Sequence, residues 1–135
     1  MNTHPYLRAY MAGIALPTML LLVVIAFFTF YRSASHVPIK VERIIIFPMA
    51  LAPNIWGLWN MLYVALQSRR RLSIGLYGAA LPFLLAPLGY AVQRGLETMV
   101  WTPTTFLIGF PVALVIYYLA WKYAVNFFNE VVGIA

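Results

Sequence analysis

Residues 9–31 read AYMAGIALPTMLLLVVIAFFTFY, with no charged side chain between Arg8 and Arg32. A helix needs roughly 20 apolar residues to cross the hydrocarbon core of a bilayer, so this run is long enough. In lipid every backbone amide must be paired internally, which a single uninterrupted run achieves only as a helix. Three further uncharged runs follow, at about 44–67 between Arg43 and Arg69, 72–93 between Arg71 and Arg94, and 98–121 between Glu97 and Lys122. The short alternating segments of a β-barrel are absent from the sequence. The expected fold class is therefore an all-α integral membrane protein: a four-transmembrane-helix bundle, one membrane domain over residues 1–135.

Composition agrees. The chain is 64% hydrophobic and 9% charged, with mean hydropathy +0.86. A soluble domain carries about a quarter charged residues. A globule this apolar cannot cover itself with polar surface, so its solvent is lipid. The first run is too long for a signal-peptide core and ends at Tyr31-Arg32 without a small-residue cleavage site, so it reads as a retained span. Without cysteine there is neither disulfide nor thiol chemistry.

Nine Lys and Arg against three acidic residues give a net charge of +6. The basic residues cluster at the ends of apolar runs, which suits anionic headgroups and topology signals rather than nucleic acid. Arg8, Arg69, Arg70, Arg71 and Lys122 fall on one side, and Arg32, Lys40, Arg43 and Arg94 on the other. The compact triad Arg69-Arg70-Arg71, on a very short connection, carries the most topological weight. It predicts both termini in the cytoplasm and a place in a bacterial inner membrane. Tyr6, Tyr10, Tyr31, Trp101, Trp121 and Tyr123 lie near span ends, where amphipathic rings favour the headgroup zone.

Gly13-Ile14-Ala15-Leu16-Pro17-Thr18-Met19-Leu20 recurs 65 positions later as Gly78-Ala79-Ala80-Leu81-Pro82-Phe83-Leu84-Leu85, with five of eight residues identical. Phe47-Pro48-Met49-Ala50-Leu51 recurs as Phe110-Pro111-Val112-Ala113-Leu114. One reading is a tandem repeat of a two-helix hairpin, its halves related by an axis along the membrane normal. The other is compositional coincidence, since Pro48–Pro53 also resembles Pro82–Pro87 and would pair the second span with the third. Prolines at 17, 48, 53, 82, 87 and 111 predict kinked helices. Gly75 and Ala79 have the small-xxx-small spacing that lets two helices approach closely, as an intramolecular seam or a dimer face.

Two polar constellations stand out. In the second span Asn54 precedes Trp56, Asn60 and Tyr63, and the last three share one helix face. A mid-membrane amide needs a partner. Asn60 is therefore either a ligand-orienting group in an aromatic site or an interhelical hydrogen bond between packed rings. Tyr118, Lys122, Asn126 and Glu130, each four apart, form a stripe that is either a vestibule or docking face, or a helix leaving the bilayer with Lys122 snorkelling. Candidate ligand-binding or pore residues are thus Asn54, Trp56, Asn60, Tyr63, Tyr118 and Lys122. Candidate headgroup-binding residues are Arg94, Arg69, Arg70 and Arg71, with Gln93 and Glu97 beside Arg94.

The chain contains no Asp, and no charged residue lies mid-span, where proton relays and ion-coupled transporters place one. His4 and His36 do not join other ligands at metal-site spacing. There is no phosphate loop, nucleophile elbow or zincin motif. No catalytic residue, metal or cofactor is expected. The first functional reading is a non-catalytic membrane protein that binds lipid, a hydrophobic ligand or a partner membrane protein. The second is an oligomeric passive transporter or channel with a pore lined by Asn54 and Asn60. The third is a lipid- or quinone-modifying enzyme using Arg94, Glu97 and Lys122.

Overall fold

The computed structural model describes residues 3–35, 50–67, 69–95 and 102–134. Among these residues the protein is entirely helical: α1 (Pro5–Ser35), α2 (Ala50–Gln67), α3 (Ile74–Gly95), α4 (Pro103–Leu119), a π-helical turn (Ala120–Val125) and α5 (Asn126–Val131). Three stretches are long and apolar enough to cross a membrane, Pro5–Tyr31, Ile74–Val92 and Pro103–Val131. Pro38, Lys40, Glu42, Arg43, Pro48, Glu97 and Trp101, to which the sequence reading gave roles, lie outside the described residues.

Local chemistry explains the helix ends. Pro5 opens α1 and Pro103 opens α4, at the position where a missing N–H costs nothing and φ is already helical. Thr102 caps α4 by accepting from the Thr105 amide at 3.2 Å. At the far end Gly133 takes φ 75°. Its amide bonds to the Glu130 carbonyl at 3.0 Å, and the Ile134 amide to that of Asn129 at 2.9 Å. This is a glycine-centred left-handed cap that turns the chain back on its helix.

The fourth apolar run extends further than the sequence indicates. Its helix begins at Pro103, not residue 98, and continues through the π turn to Val131. The wider π turn changes the phase of every residue after Trp121. The second apolar run is described over Ala50–Gln67, where Asn54, Asn60 and Gln67 interrupt it, and it is not among the three stretches long and apolar enough to cross a membrane.

Packing is concentrated at two close helix approaches. On α1, a Cβ at Gly13 would lie 2.6 Å from the Trp56 carbonyl oxygen and 2.9 Å from Gly57 Cα. On α3, a Cβ at Gly78 would overlap Trp121, and one at Gly75 would lie 2.7 Å from the Tyr118 ring. The small-residue face of α3 is thus an intramolecular seam with α4 and its π turn. Both glycines stand four residues before a buried proline, Pro17 or Pro82, whose ring removes the hydrogen bond to the glycine carbonyl. Gly13 and Gly78, like their contacts Trp56 and Trp121, are 65 positions apart.

The core forms where these two helix pairs meet. Trp56, Leu81, Trp121 and Val125 are its buried centre, with Leu16, Trp59, Tyr77 and Tyr117 packed against it. Ring centroids lie 5.6 Å apart for Trp56–Trp121, 5.1 Å for Trp56–Tyr117 and 4.8 Å for Trp59–Tyr77. These offset and tilted geometries are the ones aromatic quadrupoles favour. The buried core lies towards the end of the molecule that holds the α2–α3 connection. Towards the other end burial fades: α4 buries no residue along Pro103–Leu119, and Leu22, Val23, Phe27 and Phe30 of α1 are all at least 65% exposed.

Candidate functional site

Asn60 is fully buried at the meeting of α1, α2 and α5. Its amide nitrogen donates to the Ala9 carbonyl and to the Asn129 side-chain oxygen, each at 2.7 Å. Asn129, also buried, donates back to the Asn60 oxygen at 3.2 Å. Two carboxamides thus satisfy each other in the interior and tie both ends of the chain to the middle of α2. Arg8 adds a bond from its guanidinium to the Val132 carbonyl at 3.3 Å. The N- and C-terminal segments therefore sit together, at the end of the molecule that also holds the α2–α3 connection.

Trp56, Asn60 and Tyr63 do share a face, and all three are buried. Asn54 does not join them: it is exposed and accepts a hydrogen bond from the Tyr10 hydroxyl. The second constellation divides. Tyr118 packs on Gly75. Lys122 is exposed, its ammonium 5.7 Å from the Tyr118 ring centroid and 5.4 Å from that of Tyr123. Asn126 donates to the Glu130 carboxylate at 2.8 Å. The candidate headgroup arginines also separate: Arg69, Arg70 and Arg71 are exposed just before α3, and Arg94 is exposed at its other end. A 22-residue helix stands between them, about 33 Å long at 1.5 Å per residue.

Sequence reading singled out Asn126 but missed Asn129 and Gln67. Trp121, Val125 and Asn129, four apart, form a stripe of their own. An asparagine in line with a tryptophan and a valine was the available signal that it faces the core.

Two concave regions flank the core. The first is a cavity of about 360 Å³ at the arginine-triad end, lined by Tyr63, Val64, Gln67, Asn126, Asn129 and Ile134. Gln67 braces it, donating to the Tyr63 hydroxyl at 2.7 Å and accepting from the Leu72 amide at 3.0 Å. The second is a larger groove of about 880 Å³ between α3 and α4. Leu85, Pro87 and Tyr90 form one wall and Phe106, Phe110 and Ala113 the other, with Tyr117 at its inner end. The Tyr117 hydroxyl accepts from the Trp56 indole at 3.4 Å, linking that inner end to the aromatic core. Sequence analysis named no residue of this groove as a site, because its walls are apolar side chains indistinguishable in type from lipid-facing ones.

Among the described residues, no three His, Asp or Glu side chains converge in a way that would hold a metal. No family model, curated protein or solved structure matches this chain.

Proposed function

We propose that the chain is a four-span, non-catalytic membrane protein that holds a lipid acyl chain or another hydrophobic ligand in the groove between α3 and α4. The carrying observation is that groove: about 880 Å³, walled almost entirely by apolar and aromatic side chains. Ligand sites are characteristically apolar clefts of roughly 300–1,000 Å³ with a few polar groups. Tyr90, Thr102 and Tyr117 supply the polar groups. Pro82 and Pro87, inside α3, border the groove together with Pro103 at the start of α4, and a proline inside a helix removes a hydrogen bond and bends it.

α2 is the fourth span of this proposal; in the sequence it follows an apolar stretch, Ile44–Phe47. Its polar inner face is consumed by Asn60 and Tyr63, and it carries Leu58 and Leu62 at 58% and 44% exposure. The arginine-triad end faces the cytoplasm of a bacterial inner membrane, with both termini, by the positive-inside rule. The shared 65-residue offset of Gly13 to Gly78 and Trp56 to Trp121 fits a duplicated hairpin, with Gly13 against the Trp56 backbone and Gly78 against the Trp121 side chain.

Gly89 lines the groove, and a Cβ there would meet nothing within 4 Å. Gly89→Leu and Ala113→Phe therefore fill the groove rather than clash with a helix. Native mass spectrometry of protein extracted with its lipids should show fewer bound lipids on both variants than on the parent chain, by the one molecule that the groove holds. Equal adducts on parent and variants would overturn the assignment.

A further inference from the structure

The polar cavity at the arginine-triad end has a chemistry of its own, independent of the groove. Tyr63 brings a phenol, and Gln67, Asn126 and Asn129 bring three carboxamides; each of these groups both donates and accepts hydrogen bonds. After its bonds to Tyr63 and Leu72, Gln67 keeps one N–H. After its bond to Glu130, Asn126 keeps one N–H and its carbonyl oxygen. Asn129, only 2% exposed, keeps one N–H beyond its exchange with Asn60. No charged side chain lines the cavity. Such a lining matches hydroxyl groups, which also donate and accept. The Glu130 carboxylate held by Asn126 stands beside it and disfavours a headgroup that carries a bare carboxylate.

Charge lies next to the cavity. Arg69, Arg70 and Arg71 are all exposed and begin two residues after Gln67, on the short connection to α3. Guanidinium groups bind phosphate in forked geometry, and basic clusters at a cytoplasmic membrane surface select anionic lipids. We propose that this cavity is the headgroup site for an anionic phospholipid bearing free hydroxyls, a polyol phosphate ester. The polyol is held by Gln67, Asn126 and Asn129, and the phosphate by the arginine triad. The proposal rests on the membrane reading but not on the groove.

The test exposes the full chain in detergent to equimolar phosphatidylglycerol, phosphatidylserine and phosphatidylethanolamine and counts retained lipid by native mass spectrometry. Phosphatidylglycerol should exceed phosphatidylserine, its match in net charge, by about ten-fold, the worth of one or two net hydrogen bonds. Asn126→Ala should abolish that preference while keeping both anionic lipids above phosphatidylethanolamine. R69Q/R70Q/R71Q, confined to exposed side chains, should lose the anionic preference altogether. Gly89→Leu, which fills only the groove, should leave headgroup selection unchanged and so separates the two sites. Equal retention of phosphatidylglycerol and phosphatidylserine by the parent chain would overturn the proposal, as would an unaltered preference in the triple-arginine variant. Displacement of phosphatidylglycerol by an equal concentration of glycerol 3-phosphate would assign the site to a soluble ester and overturn the lipid assignment.

Discussion

Asn60 joins the middle of α2 to both ends of the chain, since its partner Asn129 lies 69 residues away and beyond the π turn. In the structure Asn60 makes two donor bonds at 2.7 Å and accepts a third contact. Interhelical bonds in membranes average only about 0.6 kcal/mol, but an orphaned buried amide costs about 1–3 kcal/mol. Asn60→Leu strands Asn129 and should fall in the larger range, whereas Asn129→Leu leaves Asn60 its bond to the Ala9 carbonyl and should cost less. Replacing both with leucine removes both orphans and should cost less than the sum of the singles. Thermal unfolding of the four proteins in one detergent measures this. Additive losses would mean the two amides are not coupled.

At the scale of the helix, the glycines show what sequence spacing can and cannot tell. The Gly75/Ala79 pattern identified a seam on α3, and a seam is there. It did not reveal that Gly78 makes the closest approach, because which glycine faces a neighbour depends on the partner's register, set here by Trp121 at the start of the π turn. Gly78→Ala places its Cβ inside Trp121 and should destabilise the protein by about 1–3 kcal/mol, the range for overpacking. Gly89→Ala, on the same helix with open space at its Cβ, should be neutral or gain up to about 1 kcal/mol from helix propensity. Unfolding midpoints of the two variants check the contrast, and equal midpoints would contradict the seam. The third helix, Ile74–Gly95, lies in the run that Arg71 and Arg94 bracket in the sequence. The helix of the fourth run is described from Pro103, capped by Thr102, and continues through the polar stripe after Lys122.

For the whole molecule, composition and run length indicated a helical membrane protein. Neither showed that burial concentrates towards the arginine-triad end while α3 and α4 leave a groove between them. Bulky aromatics meet glycines in the buried part, whereas Tyr90, Phe106, Phe110 and three prolines wall the groove. Because the chain has no cysteine, single cysteines report topology directly. Thr3→Cys, Arg70→Cys and Gly133→Cys should react with an impermeant maleimide only after the cytoplasmic face is opened, and Gly95→Cys should react in intact cells. Reaction of Arg70→Cys in intact cells would reverse the orientation. The central claim, that the groove between α3 and α4 holds a lipid chain rather than merely facing the bilayer, is tested most directly by photo-crosslinking. Membranes are labelled with a phospholipid carrying a diazirine on its acyl chain, and adducts are mapped by mass spectrometry. Adducts concentrated on Leu85, Phe106 and Phe110, well above those on Leu22, Val23 and Phe27 of the exposed α1 face, are the predicted result. Adducts spread equally over both surfaces would contradict it.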